Sequence, residues 1–391
     1  MKQLCRSLGV AAVLGALGTP AFAQDKVRIG VVTTLTGPAA VLGQQLRDGF
    51  NLAVKDLGGK LGGREVEVVI ADDELKPDVA VTKVKGLIER DKVDLVVGPV
   101  FSNVLQAMVK PVTDAQVVLI SPNAGPSSLA GKGCHPFFLA TSYQNDQVHE
   151  VLGKVAQNRA YKRVYLLAPN YQAGKDSLAG FKRHFKGEVV EESYVPLNTL
   201  DFQSELAKIA SERPDALFTF MPGGMGVNLV KQYKQAGLAE RVPFLSAFTV
   251  DESTLPAQQD AAIGLFGGSN WAPNLDTPEN KAFVASYEKA YNSVPGSYAM
   301  HAYDTAVLID SALKAVSGAV ADKAALRAAL RKAEFKSLRG DFKFNANGFP
   351  VQDFYLVKVA KRPDGKFQTE IVEKVFSNYG DRYAKDCASG K

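Results

Sequence analysis

The sequence predicts an α/β protein made of two doubly wound, parallel-sheet lobes, and three observations carry that prediction. Short apolar segments rich in Val, Ile and Leu alternate with segments of helical periodicity. The alternation runs twice, with a break near residues 137–145. The 391 residues suit two or three domains. Fully apolar strands that alternate with helices imply parallel sheets covered on both faces.

Residues 26–34 (KVRIGVVTT) read as the first strand, and residues 43–57 carry Leu46, Phe50, Ala53, Val54 and Leu57 at helical spacing. A strand at 65–70 and a helix at 77–90 follow, with Pro77 in the first turn, where a missing N–H is harmless. Next come a strand at 94–97, a helix at 103–115, a strand at 117–120 and, past the break, a helix at 145–158. The rhythm resumes with strands at 163–167, 189–194, 216–220 and 244–247 and helices at 174–185, 202–211 and 226–236. Helices at 277–292, 303–316 and 323–332 precede strands at 342–344 and 354–359, with Asn347-Gly348 as the turn between these strands. The late strands are too few for a third core, so the chain is expected to cross between lobes more than once.

Residues 1–23 stand apart. Lys2 and Arg6 precede a ten-residue apolar stretch from Leu8 to Leu17, too short to span a bilayer as a helix, and Pro20-Ala21-Phe22-Ala23 offers a small-x-small cleavage site. The segment reads as a secretory signal peptide, the alternative being a buried N-terminal helix. A mature chain from Gln24 would then reside in a bacterial periplasm. Cys5 leaves with the signal. Cys134 and Cys387 either pair in that oxidising compartment or stay as two buried thiols, and neither has a C-x-x-C partner for a metal. With 46% hydrophobic residues and a net charge of +5, the composition excludes a disordered chain, a collagen and a coiled coil. The charge is too weak and too evenly spread for a nucleic-acid partner.

Open parallel sheets bind ligands at the carboxyl ends of their strands. Three such ends are rich in Gly, Pro, Ser, Thr and Asn: Thr33-Thr34-Leu35-Thr36-Gly37-Pro38, Gly98-Pro99-Val100-Phe101-Ser102-Asn103 and Ser121-Pro122-Asn123-Ala124-Gly125. Each alone is explained by capping and turn chemistry; three in one lobe favour a carboxylate site at helix N-termini. Catalytic signatures are missing: no G-x-S-x-G, H-E-x-x-H or G-x-x-x-x-G-K-[ST] occurs. Gly223-Gly224-Met225-Gly226 is an incomplete dinucleotide fingerprint, and His135, His149, His184 and His301 share no ligand spacing. Asp72-Asp73-Glu74 reads as a metal cluster or, more simply, as capping carboxylates at a strand end. A secreted two-lobe protein without catalytic residues points to binding, with no enzyme activity, cofactor or metal expected.

The chain resembles the branched-chain amino acid (Leu/Ile/Val) family of periplasmic solute-binding proteins of ABC transporters. The resemblance rests on Ile29-Gly30 through Thr36-Gly37-Pro38, Ala71-Asp72-Asp73, Gly98-Pro99 with Ser102, Ile120-Ser121-Pro122, Tyr171-Gln172-Ala173-Gly174, Tyr303-Asp304 and Leu338-Arg339-Gly340…Phe344…Gly348. It implies the type I periplasmic-binding-protein fold, a Venus flytrap of two lobes joined by a three-segment hinge. The crossings would fall near Ser142, Trp271 and Pro350. One lobe would hold residues 24–142 and 272–349, the other 143–271 and 350–391.

The resemblance also implies a site. Ser102 and the loop of Asn123, Ala124 and Gly125 would hold a ligand carboxylate, Gly125 standing where the family carries Ser or Thr and Asn123 compensating. Thr36 and Asn103 complete the polar set. At the position of the acidic residue that holds an ammonium in amino acid receptors, this chain has Phe248, with Asp251 and Glu252 close by. An aromatic common after the first loop is replaced by Leu42. Phe101, Tyr143, Tyr171, Phe248 and Trp271 are candidate ring lining, each also able to serve as core or hinge packing. His301 would donate to a phenol or carboxylate, or be a structural histidine. The expected ligand is an aromatic or phenylpropanoid acid, the alternatives a branched-chain or other aliphatic amino acid, an amide or urea. The expected partner is an inner-membrane ABC permease, with a receptor for sensing as the alternative, and the protein is expected to act as a monomer.

Overall fold

The computed structural model describes residues 26–387; the segment read as a signal peptide, Cys5 included, lies outside the described residues. The first third of the chain forms β1 (Val27–Thr33), α1 (Ala40–Asp56), β2 (Lys60–Leu61), β3 (Arg64–Asp72), α2 (Pro77–Glu89), β4 (Leu95–Val97), α3 (Ser102–Asp114), β5 (Val118–Ser121), α4 (Ser127–Ala130) and β6 (Phe138–Ala140). They build a six-stranded sheet in the order β2-β3-β1-β4-β5-β6, parallel except for β2. β4, β5 and β6 are buried throughout, as strands covered on both faces must be.

The second sheet follows α5 (Asn145–Asn158). It draws on β7 (Arg163–Pro169), α6 (Gln172–His184), β8 (Glu188–Val195), α7 (Gln203–Glu212), β9 (Ala216–Thr219), α8 (Gly224–Gln235), β10 (Phe244–Ser246), α9 (Leu255–Gln258) and β11 (Phe266–Ser269). Then α10 (Pro278–Tyr291), α11 (Ser297–Ala315) and α12 (Lys323–Lys332) return to the first lobe, where α11 packs on α1. β12 (Lys343–Phe344), β13 (Pro350–Lys361) and β14 (Phe367–Tyr379) complete the second sheet, ordered β12-β13-β11-β10-β9-β7-β8 with β14 beside β13. β13 runs antiparallel to β11, β12 and β14.

The expected elements form, with informative differences. α11 begins at Ser297, six residues before the expected start, because Ser297–Ala302 is buried all round and so shows no amphipathic period. β6 falls in the break and is only three residues long. β14 was not read from the sequence because it is a mostly exposed edge strand, not an apolar run.

Three chain crossings meet in one buried polar cluster. The Arg339 guanidinium pairs with Asp304 at 3.0 Å and donates to the carbonyls of Thr141 (2.7 Å) and Ser142 (3.2 Å) and to Gln352 Oε1 (2.5 Å). Asn270 donates to Ser142 O at 3.0 Å. Of the two expectations for Cys134 and Cys387, the structure holds the disulfide. Among the described residues no helix is long and apolar enough to cross a membrane.

Candidate ligand-binding site

The carboxyl ends of both parallel sheets face each other, and the loops that leave them touch. Gly224 N donates to Pro38 O across the cleft at 3.0 Å. A Cβ on Gly224 would come within 2.9 Å of Pro38, so the glycine permits this approach. Ser127, between β5 and β6, donates its Oγ to Asp176 Oδ1 on α6 at 2.6 Å. Ser297 N, at the start of α11, lies 3.4 Å from Asp251 Oδ2 of the other lobe.

Between these contacts lies a narrow cavity of about 20 Å³. The first lobe lines it with Val100, Phe101, Ser102, Asn123, Ala124 and Tyr298. Tyr143 comes from the first crossing, and the second lobe supplies Asn145, His149, Tyr171, Ala173, Phe220, Pro222 and Phe248. α3, α6 and α8 start at this end of the sheets, their N-cap positions Phe101, Tyr171 and Gly223 making no side-chain cap bond. Their first-turn N–H groups and positive dipole ends favour an anion. No Asp, Glu, Lys or Arg is among the described residues that line the cavity.

The polar end is built around Asn145. Its Nδ2 donates to Ser102 Oγ at 3.1 Å and to Asp176 Oδ2 at 2.9 Å, while its Oδ1 accepts from Gly125 N at 2.9 Å. Ser102 therefore accepts from Asn145 and keeps its own proton to donate. Asn123 is partly committed: Nδ2 donates to Val100 O at 2.6 Å, and Oδ1 accepts from Tyr143 OH at 2.8 Å. One amide N–H remains, less than a whole free side chain would offer.

Two aromatic groups form the walls. Phe101, Tyr171, Phe220 and His149 follow one another with ring centroids 6.2, 6.3 and 5.2 Å apart. Phe248 lies 5.2 Å from Tyr143 and 5.9 Å from Tyr298. Burial raises the phenol pKa values of Tyr143, Tyr171 and Tyr298, so all three stay neutral.

Of the expected site residues, Phe101, Ser102, Asn123, Ala124, Tyr143, Tyr171 and Phe248 share this cavity. Six do not line it. Trp271 is buried beside Phe283, its indole N–H donating to Asn280 Oδ1 at 2.7 Å, because the chain turns there into the return crossing. His301 meets Asn270 in the hinge cluster, and burial pushes its pKa well below the usual value. Thr36 is exposed, and Leu42 is buried in α1 beneath the Gly223 backbone. Asn103 is set back in α3, its Oδ1 buried without a partner. At Gly125 a Cβ would stand 2.1 Å from Tyr143 O, so the family hydroxyl has no room there.

Asp251 faces the α11 N-terminus and Glu252 bonds Thr369, so neither carboxylate lines this cavity. Asp72 and Asp73 accept from Leu35 N, Leu75 N and Thr34 Oγ1, which is capping chemistry. Among the described residues no group of three or more His, Cys, Asp or Glu is placed to hold a metal ion. Sequence reasoning missed Asn145, His149, Phe220 and Tyr298. The helical spacing of Asn145 and His149, four residues apart and beginning right after the break, was the available signal.

The chain is similar in sequence and in fold to known proteins. The family described as periplasmic binding protein matches residues 26–366. The Leu/Ile/Val-binding protein homolog 6 of Brucella melitensis is 29% identical, covering 97% of this chain and 98% of its own length. An ABC-transporter solute-binding protein of R. palustris in complex with benzoate superposes with a TM-score of 0.87 at 34% identity, covering 92% of this chain and 99% of that one. A solute-binding protein of Rhodopseudomonas palustris BisB5 in complex with 3,4-dihydroxy benzoic acid gives 0.86 at 31% identity, covering 91% and 99%. The isoleucine complex of LivJ from Streptococcus pneumoniae gives 0.78 at 26% identity, covering 90% and 100%.

Proposed function

The chain belongs to the periplasmic binding protein family, and on that premise we propose that it is the solute-binding component of an ABC importer, taking an aromatic carboxylate of the benzoate class between its lobes. One observation carries the ligand reading: the cavity pairs uncharged hydrogen-bond donors with two aromatic walls and has no carboxylate among its described lining residues. An ammonium group buried there would find no anionic partner among these lining residues, at a cost of several kcal/mol. A carboxylate finds the Ser102 hydroxyl, the remaining Asn123 N–H and the α3 N-terminus. In this reading the ligand ring enters between the wall of Phe101, Tyr171 and Phe220 and the wall of Tyr143, Phe248 and Tyr298 as the lobes part. The structural relatives that hold benzoate and 3,4-dihydroxy benzoic acid support the same class.

In this reading residues 1–23 are the export signal, the protein works in the periplasm, and an inner-membrane permease recognises the form in which the lobes meet. Ligand favours that form only by binding it better than the open one. The test is a thermal-shift and calorimetric panel on protein stripped of ligand by unfolding and refolding. Benzoate, hydroxybenzoates and cinnamates are set against leucine, isoleucine, valine and urea. A ligand at 100 times its Kd stabilises by about 2.7 kcal/mol, a shift of a few degrees. Response to aromatic acids alone is expected; response to leucine alone would overturn the reading.

A further inference from the structure

His149 lines the cavity from the second turn of α5, yet no hydrogen bond of the described residues satisfies its ring. Its Nδ1 is fully buried without a partner, and no hydrogen bond of the described residues reaches Nε2. Its contacts are edge-on to Phe218, at 5.9 Å, and Phe220, at 5.2 Å. Its sequence neighbours Asp146 and Glu150 are both turned to Arg183. Burial alone pushes the imidazole down to about 3, so it is neutral and offers one donor and one acceptor. A phenylalanine would complete the same wall without burying unpaired nitrogens.

We propose that His149 receives a hydroxyl borne by the ring of the bound acid, so that the site selects hydroxylated aromatic acids over unsubstituted benzoate. The inference rests on the aromatic-acid reading and deepens it. Asn145, which orients Ser102 at the carboxylate end, lies four residues before His149 on the same face of α5. Ser102 and His149 line the same cavity, so a ligand anchored at Ser102 can turn a ring substituent toward the imidazole. A phenolic hydroxyl suits a neutral imidazole because it can donate to the acceptor nitrogen or accept from the other.

The test is calorimetry on the ligand-stripped protein and on His149→Phe, with benzoate, 3-hydroxybenzoate and 4-hydroxybenzoate. In the wild type at least one hydroxybenzoate should bind ten times or more tighter than benzoate. In His149→Phe the ratio of that affinity to the benzoate affinity should fall at least tenfold. An unchanged ratio overturns the inference while leaving the aromatic-acid reading intact. Binding of leucine in place of every aromatic acid overturns both. If His149→Phe does not fold, side-chain 15N spectra of the wild type decide: the His149 resonances should move with the hydroxybenzoate and not with benzoate, and identical responses to the two ligands overturn the inference.

Discussion

The Phe248 ring stacks on that of Tyr143, with centroids 5.2 Å apart and planes within 23° of parallel. Phe248 holds this position with a φ of 56°, a left-handed backbone costly for any residue with a Cβ and one that persists only where surrounding packing enforces it. Phe248→Ala should therefore weaken an aromatic acid at least tenfold and lower stability by about 3 kcal/mol. Phe248→Gly deletes the same ring but relieves the backbone, so it should be about 1 kcal/mol more stable than the alanine variant. Urea unfolding of the pair checks this. The usual order, alanine above glycine, would show that the φ stores no strain.

Ser102 and Asn145 act as a unit across the cleft. Ser102→Ala removes the hydroxyl proposed for the carboxylate, and affinity should fall more than tenfold by calorimetry. Asn145→Ala leaves Gly125 N without its partner, leaves Asp176 Oδ2 only Ser127 N, and frees Ser102 Oγ to rotate. It should weaken ligand and also lower stability by about 1–3 kcal/mol. Unchanged affinity in either variant would remove that residue from the site.

The fold was legible because its strands are covered on both faces and its helices on one, two patterns that a sequence displays directly. The helix Asn145–Asn158 has the bounds its periodicity gave. Elements with no such contrast escaped: the all-buried start of α11 and the exposed edge strand β14. The site was legible where it sits on loops after strands, as at Phe101, Ser102, Asn123 and Phe248. Trp271 misled because a large buried ring near a crossing has two places to go, and here it packs on Phe283. Asn145 and His149 offered only their four-residue helical spacing after the break, because their role depends on how a second-lobe helix meets first-lobe loops.

The disulfide should matter for stability through topology. β14 belongs to the second sheet, whereas Cys134 lies between α4 and β6 of the first lobe, so the tail after Tyr379 is a strap between lobes beside the three crossings. The bond closes a sequence separation of 253 residues. Replacing both cysteines with serine should cost about 2–5 kcal/mol. The low end is expected, because Asn347, which donates to Ala130 O of the first lobe at 2.7 Å, also donates to Asp381 of the tail at 3.0 Å. Small-angle scattering of the ligand-free double variant should show a larger radius of gyration than wild type. An unchanged melting midpoint and radius would mean that the noncovalent contacts alone hold the strap.

Glu252 gives the protein a predictable pH profile. Its Oε1 accepts from Thr369 N at 2.7 Å and Thr369 Oγ1 at 2.6 Å. Burial first, and the neighbouring Asp251 second, push its pKa up from 4.5 to about 8. Between those values the folded state keeps a proton that the unfolded chain has released, so stability falls as pH rises through this window. The contribution is whole below pH 4.5 and gone above about 8, a difference on the order of a few kcal/mol. Glu252→Gln keeps an oxygen for both Thr369 donors and cannot ionise. Its stability relative to wild type, measured by urea unfolding, should therefore be higher at pH 8 than at pH 5. Parallel profiles for the two proteins would show that Glu252 is ionised in the folded state, and that Thr369 alone is enough to hold its charge.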